Sequence, residues 1–496
     1  MNNSEQRGKA AVQALTGDDL KRGFQGRQVA IFATACSMGT GLTISSGTAL
    51  TRGGPASLLI SYLIGLAVFF IMTALREMAA YIPMNKGFSG YANRYAHPAL
   101  GFATGWNYYF SYAIAIPTNL TAAGLIVHYW RPDLKVGIWI TVFGAVAILL
   151  NACPALTRAP SHDTHSQYQI LHIGFKYWHD AGALGQYLLD GRTDYLLGWW
   201  ACMIQACFAY TGTEVVGVAF GEASNPHKII PMAIRQTFRR IPGFYVIGVW
   251  ALTMAVPYTS PELVDATSKF TSAAASPYVV AISLAEIKVL PDIVNAGLII
   301  FVASSAASDI YCASRSLYGL PKDGQAPKLL AKTLENGVPA WSVGVAALFF
   351  LLGYMNAARS MSTVFDYFVQ GISLTATSYS AILQPYGAYY SMFITILCII
   401  FFGYDAFIPH FKADQFVLRY IGIVIYMGNF LFWRSYKGAR YVRPREMDLT
   451  MGFYDSVLEG SSEKNDVEVP GRRKIEVRAS ELEVKLIRED GMIAGQ

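Results

Sequence analysis

Two stretches of the sequence place glycine and hydroxyl-bearing residues in the middle of long apolar runs. They are Gly39, Thr40 and Gly41 in the first run, and Phe208, Ala209, Tyr210, Thr211 and Gly212 in the second. Glycine weakens a helix, and backbone groups freed by an interruption in an apolar medium need new partners. An α-amino acid offers them, because helix N-termini attract its carboxylate and free carbonyls accept from its ammonium. The two stretches therefore predict a binding site for a small zwitterion.

A carboxylate follows the second stretch. Glu214 lies within an apolar run, where a charge is expensive and by default functional. We expect Glu214 and Asn119 to shape or polarise the site, and Ser304 and Ser305 to line it beside the first stretch. We expect no metal, nucleotide or covalent chemistry, because the sequence has no metal-ligand spacing, phosphate-binding loop or nucleophile motif.

Each of these features also has an ordinary explanation. Gly39 and Gly41 are of the kind that lets two helices pack closely in a membrane, and Glu214 can form a structural hydrogen bond to a neighbouring helix. In the functional alternative, the first stretch holds the carboxylate and the second holds the ammonium, with Phe208 or Tyr210 covering the ligand as a gate. The sequence leaves these alternatives open.

The composition places these residues in a membrane protein. Of the 496 residues, 53% are hydrophobic and 15% are charged, and the mean hydropathy is +0.33. A soluble domain carries about 25% charged residues. The net charge of +6 resides in short loops beside apolar runs, where basic residues report orientation in the bilayer rather than nucleic-acid binding. The predicted class is an all-α polytopic membrane protein.

Eleven apolar stretches are long enough to span a bilayer, which needs about 20 residues. They lie near 29–50, 55–75, 100–127, 136–152, 195–218, 241–257, 278–307, 338–356, 364–383, 386–408 and 416–434. A polar tail at 1–28 precedes this membrane domain at 29–434, and a charged tail at 435–496 follows it. Basic residues next to the first and last spans predict that both tails are cytoplasmic.

The membrane sides predicted from the basic loops are inconsistent with a count of eleven spans in one segment of the chain. The span at 136–152 should end on the cytoplasmic side, and the span at 195–218 must begin outside to bring Lys228 inside. No part of 153–194 is apolar over enough residues to cross. The two interrupted helices also indicate two repeats of opposite orientation, and such repeats need an odd number of spans each. Four spans separate the start of one interrupted helix from the start of the next, so this argument predicts the same extra helix. We therefore predict that a fifth helix is missing; the alternative is one loop that breaks a statistical rule.

Short motifs along the chain resemble those of the fungal amino acid permeases of the amino acid–polyamine–organocation superfamily. They are GTGL at 39–42, SGT at 46–48, RGGP at 52–55, EMA at 77–79, GFATGWNY at 101–108, GEASNP at 221–226 and GQAPK at 324–328. The resemblance covers about 28–450. It implies a five-plus-five inverted-repeat fold with two extra helices, here with about 11 spans. It also implies import of an amino acid by alternating access, coupled to protons, at the plasma membrane.

Three further stretches most resemble the dicarboxylic amino acid permeases. They are PTNLTAA at 117–123, ASPYVVAI at 275–282 and YGAYY at 386–390. Many relatives carry a glutamate where Asn119 stands, and a fixed carboxylate near the side-chain pocket would repel an acidic substrate. The resemblance therefore implies glutamate or aspartate as substrate. A neutral substrate, with Asn119 as a packing residue, stays open. The lysine that the family carries in its fifth helix has no counterpart here.

Two other functions stay open. A chain without its fifth helix would be a receptor or remnant that binds without transporting, unless the gap comes from a mis-assigned intron. A membrane enzyme would need His or acidic residues clustered at one interfacial cavity, and the sequence shows no such cluster. The expected partners are the amino acid and the bilayer, not nucleic acid. Lys9 and Lys21 on the N-terminal tail are candidate sites for ubiquitin-ligase machinery.

Overall fold

The protein is described by a computed structural model. The residues described are 39–66, 87–131, 133, 135–152, 176–180, 182–189, 191–212, 215, 232, 235, 242–269, 276–285, 289–334, 337–357, 385–408, 410–438, 441–442, 466–469, 473–477 and 484–487.

Most of these residues are helical. The α-helices are α1 Thr40–Thr43, α2 Ser45–Gly65, α3 Gly87–Tyr95, α4 Pro98–Val127, α5 Val136–Ala152, α6 Lys176–Asp180, α7 Arg192–Ala209, α8 Gly248–Ala255, α9 Pro261–Lys269, α10 Pro277–Leu284, α11 Leu290–Lys322, α12 Ala340–Leu348, α13 Pro385–Phe401 and α14 Ala413–Lys437. A π-helical turn, Pro242–Ile247, precedes α8, and 3₁₀ segments lie at Lys328–Ala331, Phe349–Ala357 and Tyr404–Ala406.

The two longest helices, α4 and α11, form an antiparallel pair. Near one end, the Trp106 indole donates to the Gln325 carbonyl at 3.3 Å, and near the other the Trp130 indole donates to Asp292 at 2.9 Å. Tryptophan is enriched at the two membrane–water interfaces. The pair is therefore held at both of its ends, and the side chains between the two tryptophans lie at membrane depth.

The sequence starts both helices with recognisable signals. Pro98 is in the first turn of α4, and the His97 ring nitrogen Nδ1 accepts from the Ala99 N–H at 3.0 Å, which caps the helix. Pro291 is in the first turn of α11. Proline suits these positions because its missing N–H has no helical partner there anyway.

Many apolar side chains on the helix surfaces are exposed. On α14 they include Val417, Val424 and Phe432, which are 55%, 68% and 58% exposed. Large exposed apolar surface of this kind marks a site of contact with a membrane or partner. Among the described residues, two helices are long and apolar enough to cross a membrane, Pro98–Val127 and Leu290–Lys322, and four shorter apolar helices accompany them. The prediction of eleven spans stays a prediction.

The structure differs from the expected span at 278–307. This region forms two helices, α10 and α11, and α11 continues to Lys322. Arg315 and Lys322, which lie beyond the predicted end of that span, are helical. The reason is physical: hydropathy marks the part of a helix that lies in lipid, whereas the hydrogen bonds of a helix continue beyond it.

A loop at residues 182–189 fastens the kink of α2 to the start of α7. Gly54 has φ of 77° and breaks α2, and a Cβ there would lie 2.6 Å from the Gly185 backbone nitrogen. The Gly185 N–H donates to the Gly53 carbonyl, and the Ala56 N–H to the Ala183 carbonyl, both at 2.9 Å. The Asp194 carboxylate accepts from three successive backbone N–H groups, those of residues 187 to 189.

The C-terminal tail adds a small antiparallel sheet, β1 Asp466–Val469, β2 Arg473–Val477 and β3 Val484–Ile487. Asp466 pairs with Glu476, and Lys474 pairs with Ile487. The all-α expectation did not include these strands, because the composition of 435–496 indicated only a charged tail. The segment between Asn151 and Gly174, where a helix is predicted to be missing, lies outside the described residues from 153 onward, and so does the predicted span at 364–383.

Candidate functional site

The first predicted interruption lies between α1 and α2. Gly39 is extended, with ψ of −158°, and Ile44 leaves helical geometry between the two helices. Side-chain hydroxyls add hydrogen bonds to the backbone ones that remain here, among them the bond from the Ile44 N–H to the Thr40 carbonyl at 2.9 Å. The Thr43 hydroxyl donates to the Gly39 carbonyl at 3.1 Å, and the Ser46 hydroxyl donates to the Leu42 carbonyl at 2.6 Å. Hydroxyl residues therefore hold this broken helix together inside an apolar medium.

The second predicted interruption is the end of α7. The helix stops at Ala209, and the chain turns through Tyr210 and Thr211 to Gly212, whose φ of 96° favours glycine. The Thr211 N–H donates to the Phe208 carbonyl at 3.1 Å, which tightens the last turn. The first predicted interruption is present. At the second, α7 ends as expected, and nearly all the residues that follow Gly212 up to 241 lie outside the described part of the chain.

The two interrupted segments touch through their backbones. A Cβ on Gly41 would lie 2.5 Å from the Ala209 Cα and 3.1 Å from the Phe208 carbonyl oxygen. Such a distance is far inside van der Waals contact, and both opposing atoms belong to the main chain. Gly41 thus has the close-packing role that the sequence left open as an alternative, and the contact brings the two candidate ligand-holding stretches side by side.

A chain of polar side chains joins α1, α4 and α11 beside this contact. The Thr40 hydroxyl donates to Asn119 Oδ1 at 3.1 Å. Asn119 Nδ2 donates to Ser305 Oγ at 3.2 Å and to Asp309 Oδ2 at 2.5 Å. All four residues are buried, with at most 6% of their surface exposed. We call Thr40, Asn119, Ser305 and Asp309 the central cluster.

The positions of the two tryptophans predict that the central cluster lies deep in the membrane. Asn119 is about 20 Å from Trp106 and about 16 Å from Trp130 along α4, at about 1.5 Å per residue. Since the hydrocarbon core of a bilayer is about 30 Å thick, this is close to its middle. Polar groups at this depth cost free energy unless they are hydrogen-bonded, and ionisable ones are by default functional.

Comparison with known proteins agrees with a transporter. The family described as Amino acid permease matches residues 28–159 and 152–376. An uncharacterized amino-acid permease of Schizosaccharomyces pombe is 43% identical over 87% of this chain and 92% of its own length. The dicarboxylic amino acid permease of Saccharomyces cerevisiae is 36% identical over 87% and 79% respectively.

The chain belongs to the amino acid permease family. It is thus an integral membrane protein of amino acid transport, with fungal relatives. The proline-specific permease of Emericella nidulans is 34% identical over 84% of this permease and 86% of its own length. The two segments of the family match meet at 152–159, inside the stretch where the sequence predicts that a helix is absent.

Asp309 is the member of the central cluster that sequence reasoning missed. It lies just beyond the predicted end of the span at 278–307. The signal was present: Asp309 follows Ser305 by one helical turn, and apolar residues continue after it to Ala313. Asn151 on α5 also fixes this part of α11, since its amide donates to the Ala307 carbonyl at 2.8 Å.

The two gate candidates of the permease lie on different sides of α7. Phe208 packs in the apolar cluster that holds Ile44, Ala123 and Val302, beside the central cluster. The Tyr210 hydroxyl donates to the Tyr62 carbonyl at 2.8 Å, and its ring stacks on Tyr245 with centroids 4.8 Å apart. Of the two rings, Phe208 is therefore the one that contacts the walls of the candidate site.

The remaining predicted residues divide as follows. Ser305 is 2% exposed and belongs to the central cluster, whereas Ser304, one position earlier on α11, faces outward and is exposed. This is a direct result of the 100° turn between successive helical residues. Gly39 is buried at the start of α1. Glu214 lies outside the described residues, so its expected role stays a prediction.

Proposed function

We propose that this permease imports an amino acid together with a proton by alternating access, and that acidic amino acids are its preferred substrates. The observation that carries the proposal is the central cluster, in which Asn119 ties the broken first helix to α11 at mid-membrane depth. A polar connection between a broken helix and its neighbours is suited to a site that opens alternately to each side.

The acidic preference rests on two supports. Asn119 is neutral, and the dicarboxylic amino acid permease of Saccharomyces cerevisiae is among the relatives with higher identity. Against it stand relatives specific for proline, at 34% identity, and lysine, at 30%. In this proposal, residues 39–41 bind the substrate carboxylate, residues 208–212 bind its ammonium, and Phe208 closes over it.

Uptake into cells without their own permeases for acidic amino acids tests the proposal. We expect labelled glutamate to enter, unlabelled aspartate to compete better than proline or lysine, and a protonophore to abolish accumulation. Competition by proline or lysine in place of aspartate would contradict the acidic preference, while accumulation that survives the protonophore would contradict proton coupling. The plasma membrane is the proposed location, and a fluorescent fusion in the same cells tests it.

A second candidate function is substrate binding without transport. The family match favours it at one point, since its two segments meet where a helix is predicted to be absent. Glutamate binding to the purified protein without uptake by cells that carry it at their surface would favour the receptor. A transcript that restores an apolar span between codons 151 and 175 would remove the reason for this candidate.

A further inference from the structure

We propose that Asp309 is the group that carries the coupled proton, and that its neutral form is the one that admits an acidic substrate. This deepens the proposed function and rests on it. The carboxyl is 4% exposed and lies at mid-membrane depth, in hydrogen-bond contact with the amide that also contacts the broken first helix.

The position of Asp309 makes its charge expensive. An ionised carboxylate moved from water into an apolar interior loses hydration worth several kcal/mol even after relaxation. The Asn119 amide stabilises the carboxylate by a hydrogen bond. Protonation removes this cost, and the protonated carboxyl keeps one oxygen that accepts from the amide.

Other titratable groups pack near Asp309. Among the described residues of the apolar cluster that includes Ala306 and Ile310, they are Tyr108, Tyr109 and Tyr112 on α4, Tyr311 and Cys312 on α11, and the partly buried Tyr354. Tyrosine and cysteine ionise above about pH 8, so they stay neutral at physiological pH. Further along α11, the Arg315 guanidinium lies 4.5 Å from the centre of the Tyr311 ring and stays protonated.

The geometry connects proton binding to substrate binding. Asn119 contacts Thr40, which belongs to the stretch proposed to hold the substrate carboxylate, and Asp309 at the same time. An anionic substrate and an ionised Asp309 at the two ends of this short path would repel each other. Proton and substrate therefore bind in the same state. The proton forms an O–H bond on the Asp309 carboxyl from the outer solution, and this bond breaks again when the site opens to the cytoplasm.

The test compares two readouts on the full chain in proteoliposomes. One is accumulation of labelled glutamate driven by an inward proton gradient, with and without protonophore. The other is counterflow, in which labelled glutamate exchanges with unlabelled glutamate inside the vesicle and no gradient is applied. We expect Asp309→Asn to lose the accumulation, down to the level of protonophore-treated wild type, while counterflow stays above that of empty liposomes.

The matched control is Asp292→Asn. It makes the same change on the same helix, at an exposed residue. The Asp292 carboxylate accepts a hydrogen bond from the Trp130 indole, and the amide oxygen of asparagine can accept the same bond. We expect this variant to accumulate glutamate like wild type. Gradient-driven accumulation by Asp309→Asn equal to that of Asp292→Asn would overturn the inference.

Asp309→Glu decides the case in which Asp309→Asn loses both readouts. Recovery of accumulation, with a pH profile displaced from that of wild type, supports the inference, because a carboxyl has then restored the coupling. Recovery of counterflow alone, or of neither readout, overturns it. If wild type itself shows neither accumulation nor counterflow, the proposed function fails, and this outcome is distinct from a failure at Asp309.

Discussion

Two polar contacts between helical segments, both largely shielded from solvent, place a carboxylate against different kinds of partner. In the first, Arg419 on α14 pairs with Asp405 on the neighbouring 3₁₀ turn, with side chains 10% and 12% exposed. In the second, the central cluster, Asp309 accepts a hydrogen bond from the neutral amide of Asn119. In the first contact a positive charge faces a negative one, and in the second an amide dipole faces the carboxyl.

The partners also differ in their separation along the chain. Arg419 and Asp405 are 14 residues apart, so the pair ties together one local hairpin. Asn119 is 79 residues from Thr40 and 190 from Asp309, so the central cluster exists only when three helices take their present positions. The comparison indicates that the ion pair stabilises a fixed part of the molecule, while the central cluster responds to helix movement and to protonation.

Replacing Asn119 by leucine should have the largest effect. The change leaves Thr40, Ser305 and Asp309 without the partner that connects them, at a cost of about 1–3 kcal/mol for each buried polar group. We expect glutamate uptake to fall to background and thermal stability in detergent to drop.

The control for this prediction is Asn295→Leu. Asn295 is 2% exposed on the same helix as Asp309, and its Nδ2 has no hydrogen-bond partner among the described residues. Uptake by Asn119→Leu as high as that of Asn295→Leu would show that the central cluster is ordinary packing, and the contrast with the ion pair would disappear.

Breaking the ion pair should affect stability more than transport. Removing one partner of a buried pair costs about 3–5 kcal/mol, whereas replacing both by apolar residues is close to neutral. We expect Arg419→Met to lower the melting temperature, and the double change with Asp405→Leu to restore both melting temperature and uptake. A stable double variant that fails to transport would give the pair a role in the cycle and would break the comparison.

Enlarging Gly41 should have an intermediate effect. The new methyl group of Gly41→Ala meets the backbone of Ala209, and overpacking of this kind costs about 1–3 kcal/mol. We expect reduced stability and reduced uptake. Gly297→Ala is the matched control, since a Cβ there has nothing within 4 Å. Equal behaviour of the two variants in melting and uptake would mean that the broken helix does not rest against α7.

Removing the Tyr210 hydroxyl should have the smallest effect. Tyr210→Phe deletes the hydrogen bond to the Tyr62 carbonyl but keeps the stacked ring, a loss of about 0.5–1.5 kcal/mol. We expect a small drop in melting temperature and a KM for glutamate close to that of wild type. A large rise in KM would indicate that Tyr210, and not Phe208, is the residue that covers the substrate.

Local features of the site could be predicted from the sequence, and its long-range contacts could not. Glycines and hydroxyl residues inside apolar runs predicted both interruptions, since those residue types are unfavourable in a continuous buried helix. Asp309 was missed because the small residues before it lower the local hydropathy and ended the predicted span at 307. Nothing local indicates that an asparagine will contact an aspartate 190 residues away.

The loop at residues 182–189, near Gly54, connects the two interrupted helices at their other ends. The backbone of this loop forms hydrogen bonds with the kink of α2. The Asp194 carboxylate at the start of α7 accepts hydrogen bonds from the N–H groups of the same loop. At that end of the molecule the two helices are thus attached to the same loop. An antibody fragment or nanobody raised against residues 182–189 would bind where both helices are attached, which makes this loop the natural target for trapping the transporter in a single state.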